Sequence, residues 1–97
     1  MKKLENLRQR IDRLDDQLLH VLKKRFQIVN QIGILKKELK LSAMQPQRWD
    51  KVIKARLKIA EQMKLRKSFI LEVFNLIHQE SLQQQNNLRN KCRDGET

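Results

Sequence analysis

The stretch that decides the fold is LENLRQRIDRLDDQLLHVLKKRFQIVNQIGILKKELK, residues 4–40, in which apolar side chains recur in alternating steps of three and four. That spacing predicts one long amphipathic helix over residues 3–40. We call the repeated positions the α1 stripe. The stripe comprises Leu4, Leu7, Ile11, Leu14, Leu18, Val21, Ile28, Ile32, Leu35 and Leu39.

The predicted helix is too long for a chain of 97 residues to cover by itself. At 1.5 Å per residue it would extend roughly 57 Å, whereas a compact domain of this size is about 30 Å across. The apolar stripe continues over the whole length, so the far half needs a second copy of the chain to cover it. We therefore predict an all-α fold of three helices with a very long first helix, intertwined as a helical homodimer.

Two shorter helices follow the long one. A break at residues 41–45 precedes Pro46, which suits a first helical turn, and an apolar face predicts a second helix over residues 47–63. After a connection at residues 64–67, Ser68 is the predicted N-cap of a third helix. Hydrophobic pattern fades from about residue 86, so we expect a domain at residues 1–90 and a disordered polar tail at residues 91–97.

The composition limits the classes of function. Two Gly, one Pro and no Tyr leave little material for turns or strands, and the single Cys92 offers no disulfide. No apolar run reaches transmembrane length and the first residues do not resemble a secretion signal, so we expect a cytoplasmic protein. The net charge of +11 fits nucleic acid, an anionic membrane surface or a small polyanion as partner. Most of the cations occupy outward helix positions, which is the ordinary solvated pattern.

Arg25 occupies a position of the α1 stripe where an apolar residue is expected. Lys36, eleven residues later, is rotated by only about 20° from it, so both cations project from nearly the same face. A buried cation without a partner costs several kcal/mol, so an anion should meet them. An internal Asp or Glu is the simpler candidate for a single arginine, since structural ion pairs are common.

Further polar residues favour a ligand over an internal ion pair. Ser81 and Gln85 lie one turn apart on the apolar face of the third helix, and Arg48 opens the second. Together with Arg25 and Lys36 they form a set typical of a site for a small dicarboxylate with an apolar body. Arg8 lies some 25 Å along the helix from Arg25, so it could reach the same ligand only from the other subunit.

Three runs carry a family resemblance: LRQRIDRLDDQLLHVLKKRFQIVNQIGILKK at residues 7–37, PQR at 46–48 and FNLIHQESLQQQ at 74–85. Over nearly its whole length the chain resembles the AroQ-type chorismate mutases, the all-helical class II enzymes. The resemblance implies a domain-swapped homodimer with two active sites and no cofactor or metal. It also implies the small dicarboxylate chorismate as substrate, with neither nucleic acid nor a membrane as partner.

The implied activity is the Claisen rearrangement of chorismate to prephenate, which feeds phenylalanine and tyrosine synthesis. Carried over by motif, the catalytic residues are Arg25, Lys36 and Gln85. The same three residues belong to the substrate-binding set, whose other members are Arg8 from the partner chain, Arg48, Ser81 and Gln45. The arginines and Ser81 would bind the two carboxylates, while Lys36 and Gln85 would donate to the ether oxygen. Well-known bacterial members carry acidic residues around the start of the second helix for the ring hydroxyl, where this chain has Gln45 and Trp49. Related mutases have a basic-aromatic-acidic run similar to residues 48–50 of this chain, so the resemblance implies subfamily variation.

Two other functions remain open from the sequence. Isochorismate pyruvate lyase has the same fold and most of the cationic residues, although the small Ser81 is more typical of a mutase. A noncatalytic basic helical dimer that binds nucleic acid or a partner helix is the second alternative. That alternative predicts that Arg25 and Lys36 are paired internally.

Overall fold

The protein consists of three helices in the computed structural model, which describes the backbone of residues 1–95 and the side chains of residues 1–87. Helix α1 spans Lys2–Glu38, α2 spans Pro46–Gln62 and α3 spans Lys67–Gly95. The described backbone contains no strand. The prediction of an all-α chain with three helices is confirmed.

Helix α1 determines the elongated outline of the chain. Its 37 residues correspond to about 56 Å of rise, and the longest dimension of the molecule is 60 Å. Helix α3 packs against both α1 and α2, while α1 and α2 make no direct backbone approach to each other within the described residues. Every residue from 1 to 21 is exposed, so only the second half of α1 takes part in the core.

The face of α1 that packs on α3 differs from the predicted stripe. Val29 and Gly33 are the buried residues of α1, whereas Ile28, Ile32 and Leu35 remain 55%, 42% and 53% exposed. The reason is geometric: a repeat of 3.5 residues drifts by about 20° per heptad relative to a helix of 3.6 residues per turn. From residue 28 onwards the stripe has rotated away from the face packed on α3, and Gly33 presents no side chain to the neighbouring helix.

Helices α1 and α2 end in the same hydrogen-bonded motif. Lys40 and Lys64 have φ values of 58° and 60°, the left-handed conformation that usually falls to glycine. After α1, the amide of Leu41 donates to the carbonyl of Lys36 at 2.7 Å; after α2, the amide of Leu65 donates to Ala60 at 2.8 Å. These are Schellman caps, and they end α1 at Glu38 and α2 at Gln62, short of the predicted ends at residues 40 and 63.

The start of α3 also departs from the prediction. The amide of Ile70 donates to the carbonyl of Arg66 at 3.1 Å, so α3 begins at Lys67 and Ser68 lies inside its first turn. The prediction of Ser68 as the N-cap was therefore wrong by two positions, since the carbonyl of Arg66 accepts the first helical hydrogen bond.

The helical backbone of α3 continues to Gly95. The division into a domain of residues 1–90 and a polar tail of residues 91–97 stays a prediction.

Among the residues that the structure describes, none of the helices has the length and hydrophobicity that a membrane span requires.

Candidate active site

A cavity of about 300 Å³ lies where the second half of α1, the start of α2 and the middle of α3 meet. Its wall is mostly apolar, with cationic and amide side chains at several points, which is the usual character of a small-molecule site. The lining residues are Arg25, Val29, Ile32, Lys36, Ala43, Gln45, Arg48, Trp49, Val52, His78, Ser81, Leu82 and Gln85.

Arg25 is held in the cavity by Ser81. The guanidinium Nη1 donates to the Ser81 hydroxyl at 3.4 Å, and that hydroxyl donates in turn to the Ile77 carbonyl at 2.8 Å. Ser81 is 7% exposed, so its hydroxyl is tied to a protein acceptor while it positions the arginine. Arg25 has no carboxylate within ion-pair distance among the side chains that the structure describes.

Lys36 and Gln85 form the opposite end of the polar wall. The Lys36 ammonium donates to the Ala43 carbonyl at 2.9 Å and to Gln85 Oε1 at 3.5 Å. Since Oε1 accepts from the lysine, the Gln85 amide nitrogen is left as the donating end of that side chain. Gln85 is only 5% exposed, and Nε2 forms no hydrogen bond within the described part of the chain. A buried donor of this kind suits an acceptor on a ligand.

The first turn of α2 supplies the third wall. Gln45 is the residue before α2 and its carbonyl accepts from the Trp49 amide at 3.1 Å, so the turn projects Gln45, Arg48 and Trp49 towards the same cavity. Trp49 stacks on His78 of α3, with ring centroids 3.9 Å apart and planes 11° from parallel. His78 Nε2 also lies 3.3 Å from the Met44 sulfur.

The cavity is electropositive. Burial, followed by the charges of Arg56 and Arg48, lowers the pKa of Arg25 from its ordinary value, which still leaves the guanidinium charged at neutral pH. Burial, followed by the charges of Arg25 and Lys36, lowers the pKa of His78. Each of these charges repels another cation, so the described lining is arranged for an anion.

The sequence predicted seven site residues, and the structure brings six of them to this cavity. They are Arg25, Lys36, Gln45, Arg48, Ser81 and Gln85. Arg8 does not line the cavity. This residue is exposed in the first half of α1, about 25 Å of helical rise from Arg25. The described residues contain no group of three or more His, Cys, Asp or Glu side chains that could hold a metal ion.

The sequence from Arg8 to Gln85 follows the residue pattern of a known protein family. A family model described as chorismate mutase type II matches residues 7–86. The chain belongs to the type II chorismate mutases. A comparison with curated proteins finds no match. The matched range contains every predicted site residue and stops one position after Gln85.

Some lining residues of this chorismate mutase domain are absent from the predicted catalytic and substrate-binding set. His78 lies three residues before Ser81 and seven before Gln85, so helical spacing puts it near the same face of α3, and the sequence favours a lining role for it over a reactive one. Trp49 directly follows Arg48, where the sequence alone indicates a packing residue. The Ala43 carbonyl that accepts from Lys36 carries no sequence signal, because any residue could supply a backbone oxygen.

Proposed function

We propose that this protein catalyses the rearrangement of chorismate to prephenate, a step in phenylalanine and tyrosine synthesis, in the cytoplasm. The observation that carries the proposal is Arg25, a half-buried cation held by Ser81 in a mostly apolar cavity and lacking a carboxylate partner among the described residues. Chorismate has the matching chemistry, because it presents two carboxylates and an ether oxygen on a compact ring. Membership of the type II family supports the same assignment.

The reaction breaks the ether C–O bond while a C–C bond forms, in one pericyclic step without proton transfer or a covalent intermediate. Catalysis then depends on holding the compact conformer and stabilising charge at the ether oxygen. In this proposal Arg25 and Arg48 bind the carboxylates, with Ser81 positioning Arg25. Lys36 and the amide nitrogen of Gln85 donate to the ether oxygen, and Gln45 forms a hydrogen bond with the ring hydroxyl.

The active form in this proposal is an intertwined homodimer. Leu7, Ile11 and Leu14 are 46%, 56% and 57% exposed in a single chain, and a continuous apolar surface of this kind calls for a partner. The α1 stripe passes beside the cavity at Ile32, which is both a stripe residue and a lining residue. A second α1 laid on the stripe would therefore reach the cavity edge and deliver the partner's Arg8.

The activity is tested by incubating purified protein with chorismate and, separately, with isochorismate, and by following both by NMR. The proposal expects conversion of chorismate to prephenate. Release of pyruvate from isochorismate without prephenate formation would assign the lyase instead. Turnover of neither substrate by folded protein would favour the noncatalytic function.

The dimer is tested with Leu14→Asp, which introduces a charge on the stripe. Sedimentation should give a folded dimer for the wild type and a dissociated or unfolded chain for the variant, since folding and association are coupled. The matched control is Gln9→Asp, on the polar face of the same half of α1, which should remain dimeric. A folded wild-type monomer at micromolar concentration would contradict this part of the proposal.

A further inference from the structure

The stacked pair formed by Trp49 and His78 is not used by the rearrangement. Both rings line the cavity, their centroids are 3.9 Å apart and their planes are nearly parallel at 11°. A cation within about 6 Å of an indole face is attracted by its π electrons, so this geometry accommodates an imidazolium as well as a neutral imidazole. Nδ1 of His78 forms no hydrogen bond within the described part of the chain, which leaves it able to donate if protonated.

The charges around His78 come from every element that meets at the cavity. Helix α1 contributes Arg25 and Lys36, the start of α2 contributes Arg48, and the connection between them contributes the neutral Met44 sulfur. On α3 itself, the next lining residues are the neutral Ser81 and Gln85. The described lining contains no carboxylate. Its cations therefore disfavour protonation of His78 whenever the cavity holds no anion.

We propose that His78 is a proton-linked binding residue: it takes up a proton when a dicarboxylate enters the cavity, and the resulting imidazolium stacks on Trp49 and faces the ligand. The physical reason is a reversal of the local charge. Two carboxylates offset the cations that disfavour protonation, and Trp49 stabilises the imidazolium from its other face. This inference rests on the proposed function for the nature of the ligand.

By linkage, a residue that gains a proton on binding makes the ligand bind more tightly at lower pH. The affinity for a dicarboxylate should therefore increase as the pH falls through the range in which histidine titrates. Between the titration midpoints of the free and the occupied protein, binding that takes up one proton gains about tenfold in affinity for each unit by which the pH falls.

The test is an NMR titration of the histidine side chains in protein with ring-labelled histidine, using prephenate as the probe. The chain has two histidines, so His78→Phe assigns both resonances. Saturating prephenate should move the titration midpoint of His78 to higher pH. His20, exposed on α1 and bonded to the Asp16 carbonyl, does not line the cavity and its resonance should not respond.

A calorimetric series between about pH 6 and pH 8 supplies the second readout. The wild type should bind prephenate more tightly at the acid end, whereas His78→Phe, which retains the stack, should lose that dependence. A shift of the Trp49 indole resonance on adding prephenate, with an unchanged midpoint for His78, would overturn this inference and leave the proposed function intact. No response of any cavity residue to prephenate would overturn both.

Discussion

The Arg25 guanidinium and the Ser81 hydroxyl, 56 positions apart in the chain, are joined by a hydrogen bond of 3.4 Å across the α1–α3 contact. The Ser81 hydroxyl donates its hydrogen bond to the Ile77 carbonyl, so it acts as an acceptor for Arg25. This relationship fixes one cation of the cavity to the helix that also presents Gln85. It makes Ser81 a positioning residue for the arginine in addition to any contact it makes with a ligand.

Ser81→Ala should therefore reduce chorismate mutase activity without unfolding the protein. The change removes one hydrogen bond to a charged donor, worth about 1.5 kcal/mol, which corresponds to roughly a tenfold loss in kcat/KM. Steady-state kinetics checks the size of the loss. The matched control is Ser68→Ala in the exposed first turn of α3, which should keep wild-type kinetics; equal activity of both variants would remove Ser81 from the account.

Gln85→Ala should lower kcat by at least tenfold and by about a hundredfold if its amide donates to the ether oxygen, because a donor aimed at developing charge is worth about 3 kcal/mol. Gln83→Ala, on the exposed side of the same turn, is the matched control and should have little effect.

The glutamate variant gives an independent reading of the same residue. Gln85 does not titrate, so it cannot limit the wild type near neutral pH, whereas Gln85→Glu can donate only when protonated and should work better in acid. A Gln85→Ala enzyme with wild-type turnover, or a Gln85→Glu enzyme with no acid preference, would show that Gln85 only fills the core.

The stability of the ligand-free protein should depend on pH through His78. Burial and the charges of Arg25 and Lys36 lower its pKa in the folded state below the unfolded value of about 6.5, so the unfolded chain binds more protons. The contribution is complete above the unfolded pKa and is lost as the pH falls through that value towards the folded pKa.

Denaturant titrations of the wild type and His78→Phe across that range check the sign. As the pH falls, the unfolding free energy of the wild type should decrease relative to that of His78→Phe. A difference that does not change with pH would contradict it.

The sequence predicted the helices well because their signals are local. Steps of three and four specify α1, and Pro46 marks the first turn of α2. The rotation between the α1 stripe and the face packed on α3 is not predicted by the sequence, because a buried glycine such as Gly33 has no apolar side chain to mark the contact face. The ends of α1 and α2 were also imprecise, since Lys40 and Lys64 adopt the conformation normally signalled by glycine.

For the site, the sequence identified the residues whose chemistry conflicts with their position. Arg25 on an apolar stripe and Gln85 on an apolar face are such conflicts, and both line the cavity. The stack of Trp49 on His78 was not predicted, because it joins an aromatic residue of α2 to an imidazole of α3 through tertiary packing alone. The contribution of Arg8 stays a prediction.

The most direct test of the shared-site account mixes two inactive variants, Arg8→Ala and Arg25→Ala, under conditions of verified subunit exchange. A heterodimer collects both defects in one site and leaves the other site intact, so an equal mixture should regain about a quarter of wild-type activity. Arg13→Ala, on another face of the same half of α1, should be active alone. A shared site requires recovery of activity near that level; an exchanged mixture that stays inactive would show that Arg8 and Arg25 of different chains do not act in one site.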